Sequence, residues 1–240
     1  MTMRYGPPTL RRAAVVLASV LLLSGCVTTS HHTGKGLPKD ENARRVLVLP
    51  PDVELSILHA GGMEEPNAEW TRQARRNIAD DLTQRFREMK VSLVNGDNIS
   101  AENADDADEL QMLKLHEAVG WAILTHQYQT PLQLPTKANG FEWSLGPRTQ
   151  ELKKKYGGDY ALFLFVRDSY ASSGRVATMV VAALFGVGIQ GGVQVGFASL
   201  VDLNSGEVVW FNRLVRGGGD LRTAPAARET VSQLLANFPK

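Results

Sequence analysis

A single cysteine stands in 240 residues. The chain therefore closes no internal disulfide and builds no multi-thiolate zinc site, each of which needs at least two. Charge of one sign is missing too. With 26 Lys+Arg against 25 Asp+Glu the net charge is +1, which excludes the basic excess of a nucleic-acid binder. No apolar run reaches the about 20 residues a spanning helix needs. There is no Gly-x-Ser-x-Gly elbow. His116-Glu117 starts an HExxH whose fifth position is Gly120, so the second zinc ligand is lacking. The acids Glu102, Asp105, Asp106, Asp108 and Glu109 lack the register and central glycine of an EF-hand, and suit a helix start instead. Gly186, Gly188 and Gly191 spell GxGxxG. A dinucleotide loop must open a helix, whereas a strand-like run follows here, so a glycine connector is expected. No cofactor or metal is expected, and His116 is expected on a helix surface.

What the sequence has begins at its front. Arg4, Arg11 and Arg12 precede Ala13 to Leu23, eleven residues without charge, and then Ser24-Gly25-Cys26. A basic start, a short oily core and small residues make an export signal. Removing residues 1–25 takes out those three arginines and no acid, shifting the net charge from +1 to −2.

Leu23-Ser24-Gly25-Cys26 resembles the lipobox of bacterial lipoproteins. The resemblance implies cleavage between Gly25 and Cys26 and acylation of Cys26. Acyl chains bury methylenes at about 0.8 kcal/mol each, enough for stable anchoring when two or more are present. In that family an Asp after the cysteine favours the inner membrane. This chain has Val27, which implies an outer-membrane protein facing the periplasm.

Residues 26–43 are expected to be the lipidated cysteine and a flexible tether, polar with Thr28, Thr29, Ser30, Gly34, Gly36 and Pro38. His31-His32 lies within it with no third ligand nearby, and is expected to be solvated. Residues 44–240 are long enough for one domain with its own core.

Arg45 to Pro50 and Val53 to Leu58 are expected strands. Trp70, Ala74, Ile78, Leu82, Phe86 and Met89 recur at helical spacing, with Asn67 placed to cap. Val91 to Val94 suits a strand. Asp105 to about His126 suits a helix with Leu110, Leu113 and Ile123 inward, and Pro147 to Gly157 a short helix bearing Lys153-Lys154-Lys155 on a solvated face. Tyr160 to Val166, YALFLFV, predicts a strand covered on both faces. Val193 to Leu203 and Val208 to Val215 flank the turn Asn204-Ser205-Gly206, and Ala224 to Phe238 closes as a helix. That order predicts an α/β fold, a single domain with helices packed on a mixed β-sheet.

Gly158-Asp159-Tyr160 leading into ALFLFV, and LVDLNSGEVVW from Leu200 to Trp210, resemble a group of envelope lipoproteins. These include the curli-secretion-channel domain, the lipoprotein activators of penicillin-binding proteins and proteins with a TolB amino-terminal-like fold. The resemblance implies the same fold and an envelope role; its motifs are structural. Asp202 and Glu207 also suit plain turn chemistry.

Val176 to Ile189, VATMVVAALFGVGI, carries no charge over fourteen residues. It is expected mainly as core, a buried helix or strand pair. The sharper reading makes Val176, Met179, Leu184, Phe185 and Ile189 an interaction surface, with Trp143 and Tyr170 beside them as residues to test. It does not alternate as a membrane strand must. The expected function is that of an outer-membrane-anchored periplasmic lipoprotein, a non-catalytic adaptor or assembly factor whose partners are the membrane through Cys26 and an envelope protein. The alternatives are a subunit of a curli-type oligomeric channel and a periplasmic enzyme with dispersed catalytic groups.

Overall fold

The computed structural model describes residues 28–33, 45–89, 91–94, 107–137 and 140–239. Gly25, Cys26 and the expected export segment lie outside the described residues, as do most of the acidic run and the residues that follow Val94.

The strands are β1 (Thr28–Thr33), β2 (Arg45–Val48), β3 (Asp52–Leu58), β4 (Glu64–Pro66), β5 (Ser92–Val94), β6 (Tyr160–Ala171), β7 (Gln194–Asp202) and β8 (Val208–Arg216). The helices are α1 (Ala68–Met89), α2 (Ala107–His126), α3 (Thr149–Tyr156), α4 (Ser173–Leu184) and α5 (Ala224–Leu234), with short 3₁₀ turns between α2 and α3. Together they form one domain of helices on a mixed sheet of eight strands, as the sequence predicts.

β6 is the spine. Its one side pairs with β7, antiparallel, and β7 with β8. Its other side pairs in parallel with β2 over the first residues and with β3 over the last. β2 and β3 thus continue one another along a single edge, interrupted where Pro50 and Pro51, which have no N–H, could not join a ladder. The Leu49 amide still donates to the Leu162 carbonyl before the break.

Side chains alternate along β6 and split the core in two. Tyr160, Leu162, Leu164 and Val166 face α1 and α5 with Trp210, Leu214 and Phe238. Ala161, Phe163 and Phe165 face α2 and α3 with Phe197, Phe211 and Ile123. Every residue from Tyr160 to Val166 is buried, the expected consequence of cover on both faces. On α1 the stripe Ala74, Ile78, Leu82 and Phe86 is buried, and Asn67 Oδ1 accepts from the Trp70 amide as its cap. On α2, Leu113 and Ile123 point inward as expected, but Leu110 is 48% exposed; Glu109 occupies the inward position and pairs with Lys155 at 3.0 Å.

Asn212, buried on β8, closes the end of α5: its Nδ2 donates to the carbonyls of Gln233 and Leu234 at 2.8 and 2.9 Å. The Gln233 carbonyl also accepts from the Ala236 amide at 3.2 Å, while Leu234 is the last residue of the helix and its carbonyl has no helical donor after it. Asn212→Ala is expected to lower stability by about 1–3 kcal/mol, the cost of the buried Leu234 carbonyl losing its donor, read as a lower urea midpoint.

Within the segment expected as tether, Thr28–Thr33 forms the antiparallel edge strand on β8, Thr28 opposite Val215 and Thr33 opposite Trp210. Ser30 is held by two side chains, its carbonyl by Tyr128 Oη and its hydroxyl by Arg213 Nε. His32, expected to be solvated, stacks on Phe141 with centroids 5.2 Å apart.

Candidate functional site

β6 leaves the sheet at Ala171, and Ser172 turns the chain into α4. The Ser172 hydroxyl accepts from the Arg175 amide at 3.2 Å, a helix N-cap. Gly186 follows the helix at φ +75°, a left-handed conformation that stops it and that glycine adopts without strain. Residues 187–193 then return to β7. Arg175, the sole charged residue of the helix, does not face water as a free cation. Its guanidinium bonds the Gln190 carbonyl at 2.7 and 2.9 Å and the His59 carbonyl at 3.2 Å, tying α4, the glycine loop and the end of β3 together. Gly192 passes so close to β6 that a Cβ there would lie 2.0 Å from the Ser169 carbonyl oxygen.

α4 has no buried residue. Val180 and Val181 are more than half exposed, and Leu184 and Phe185 are each 80% exposed. The expectation that Val176 to Ile189 is mainly core is therefore corrected. Both faces of the sheet are already filled, by α1 and α5 on one side and α2 and α3 on the other, so the segment is left outside. Of the five residues named from the sequence, Val176, Leu184 and Phe185 are exposed, while Met179 and Ile189 are half-buried; Met179 rests on Gly191. Full burial of a Val, Leu or Phe side chain gains about 1.5–3 kcal/mol, which this helix forgoes in water. A helix apolar on all sides ordinarily has a cover.

Trp143 lies apart from α4, packed on the other core face under Lys137. Tyr170 lies at the foot of α4, but its ring is turned inward against Trp70, and Arg222 stacks over both rings at 4.4 and 4.6 Å.

Beneath α4 a buried polar row crosses the sheet. Asp168, Gln194 and Arg216 are register partners on β6, β7 and β8. Asp168 Oδ2 accepts from Tyr170 Oη at 2.5 Å and from Gln194 Nε2 at 2.6 Å. Gln194 Oε1 accepts from Arg216 Nε at 2.8 Å, and Arg216 reaches Thr230 and Glu229 of α5 at 2.6 and 2.8 Å. Burial pushes the Asp168 carboxyl up to about 6, against the pull of its donors and of Arg216. The row opens on a recess of about 130 Å³ walled by Gly191, Gly192 and Gly217 to Gly219, room for a few waters. The sequence reading missed this row, although strand parity could have found it: Asp168, Gln194 and Arg216 continue the face set by Leu164 and Val166.

His116 is 1% exposed, which corrects its expected place on a helix surface. Its Nε2 lies 2.8 Å from Ser199 Oγ and its ring stacks on Phe163. Burial holds it down at about 3, so it is neutral at any ordinary pH. The pair has the elements of a base and a nucleophile, but Ser199 is equally enclosed and no substrate reaches it. The three lysines sit as expected on α3, largely exposed, although Lys153 also reaches Asp159 and Asn204. Asp202 and Ser205 are turn chemistry: their side chains accept from the amides of Asn204 and Glu207. The GxGxxG leads through a coil into β7 and opens no helix. Among the described residues no group of three His, Cys, Asp or Glu is placed to hold a metal, and no helix is long and apolar enough to cross a membrane.

The molecule is thus an α/β layered domain with an uncovered apolar helix at one end of its sheet. No family model matches the chain, and no characterised protein matches it in sequence. Among solved structures it is similar to a PelC dodecamer from Paraburkholderia phytofirmans, at 15% identity and TM-score 0.39 over 89% of this chain and 98% of that one. A variant of that PelC gives 15%, 0.39, 89% and 99%. A DUF4136 family protein from Bacteroides thetaiotaomicron gives 11% and 0.30 over 89% and 96%. Likenesses this weak decide neither ancestry nor function for this chain.

Proposed function

We propose that this chain is an outer-membrane-anchored periplasmic lipoprotein, acylated on Cys26, that acts as a non-catalytic adaptor and associates with the envelope through α4. The observation that carries the reading is α4 itself: twelve residues, none buried, with Leu184 and Phe185 projecting at its tip. A surface of that kind serves association, not chemistry. The enclosure of the Ser199–His116 pair removes that pair as a catalytic candidate. Anchoring supports an adaptor role physically, since tethering raises the local concentration of the domain near membrane-bound partners and lets weak contacts suffice.

The lipobox reading is tested on the native chain purified from membranes. Its mature amino terminus is expected at Cys26, with the mass of acyl chains added and radiolabelled palmitate incorporated. A chain that retains residues 1–25, or that begins at Cys26 with a free thiol, overturns the anchor.

A further inference from the structure

The register of β1 sets where the anchor enters the fold. Thr28 pairs with Val215, Gln194 with Arg216, and Asp168 with Gln194. The first residue of β1, the end of β8, the start of β7 and the end of β6 therefore lie at one end of the sheet. α4 springs from that same end. Three strand spacings separate β1 from β6, about 14 Å in all, and only Val27 stands between Cys26 and β1. The opposite end holds the Asn204 turn, the Arg45–Asp159 pair and α3 with its lysines.

From this we infer that the occupant of the α4 surface is the lipid bilayer: α4 is a second membrane contact that enters the headgroup and upper acyl region beside the acylated cysteine. The inference rests on the anchor reading above. Three observations select lipid over a protein. The surface is continuous with the anchor end of the sheet. The one charge on the helix, Arg175, is withdrawn into carbonyl contacts, leaving the helix itself without a charged group to read a protein partner, while the exposed Glu64 and Glu65 of β4 stand beside its foot. The twelve residues span about 18 Å, too short to cross a bilayer but long enough to lodge in one leaflet. The domain would then stand with its glycine-rich end on the membrane and its Asn204 end, with the α3 lysines, toward the periplasm, where an envelope protein can reach it.

The test uses the acylated full chain, whose lone cysteine is blocked by lipid. Phe185→Cys and, separately, Leu184→Cys each introduce one reactive thiol, as does Lys154→Cys at the far end, where the lysine side chain is 68% exposed. Each is labelled with an environment-sensitive dye and placed in vesicles of phosphatidylethanolamine and phosphatidylglycerol with brominated acyl chains. The dye at Phe185→Cys and Leu184→Cys is expected to shift to the blue and lose more than half its emission to bromine, while that at Lys154→Cys is unchanged. One label per chain without bromine quenching at either α4 position overturns the membrane contact and leaves the anchor standing. A blue shift that depends on protein concentration but not on bromine overturns it in favour of a second copy. Two labels per chain mean that Cys26 is unmodified, and overturn the anchor together with the inference.

Discussion

Asp168→Asn is expected to stabilise the folded chain at pH 8 and to make it more sensitive to acid. The carboxyl is buried, and desolvation raises it from 3.8 to about 6 even though Tyr170, Gln194 and Arg216 pull the other way; Asp220 adds to the rise. A folded-state pKa above the unfolded one means that the folded chain binds the proton more tightly. The stabilisation is complete below about pH 4 and is lost as pH rises through about 6. Ionised Asp168 therefore costs the fold about 3 kcal/mol at pH 8. Asparagine removes that cost while its carbonyl still accepts from Tyr170 and Gln194. Urea midpoints at pH 8 and pH 4 check this. The variant should exceed the parent at pH 8 and lose the advantage at pH 4; an equal or lower midpoint at pH 8 would show that the ionised form is favoured after all.

Replacing His116 by glutamine is expected to act with the opposite sign. Burial lowers the imidazole from 6.5 to about 3, and the nearby Asp52 charge offsets only part of this. Here the unfolded chain binds the proton more tightly. The stabilisation is complete above about pH 6.5 and is lost as pH falls toward 3. Between pH 7 and pH 4 this one residue withdraws about 3 kcal/mol. Over the same range Asp168 returns a similar amount, so the parent chain should change little from these two groups. His116→Gln keeps a hydrogen bond to Ser199 within reach and should make the chain more stable at pH 4 relative to pH 7, whatever it costs at neutral pH. Measured together, the two variants should tilt the stability–pH profile in opposite directions, and parallel profiles would refute the assignment of both groups.

Most of the fold was legible because its strands and helices obey local rules that nothing overrides. YALFLFV could only be a strand covered on both faces, and the α1 stripe from Trp70 to Met89 could only be an amphipathic helix. The failures share one cause: periodicity names faces, not neighbours. Val176 to Ile189 looks like core because apolar helices usually are, and only the assembled sheet shows that both faces are taken. His116 looked like a surface residue because HExxH drew attention to its neighbour. The buried positions Met112, Leu113, His116, Gly120, Ile123 and Leu124 in fact trace one stripe: position 116 lies three or four past the first pair, 120 four further on, and the last pair three or four beyond that. The apolar run ends at Val166, where the charges begin, so it does not lead to Asp168, although β6 runs on to Ala171. The candidate surface on α4 is thus readable as a segment, but its relation to the proposed anchor at Cys26 is not, since that depends on the pairing of Thr28 with Val215.

That pairing also bears on the chain's passage to its destination. β8 carries VVWF, and β1 occupies the outer side of this ribbon. A strand edge of that composition, left bare, templates cross-chain association. Six residues next to Cys26, the proposed lipid attachment point, thus serve as a guard rail. With Cys26 acylated as proposed, any hauling on that terminus that peels Thr28–Thr33 away would uncover the stickiest border of the molecule beside the membrane.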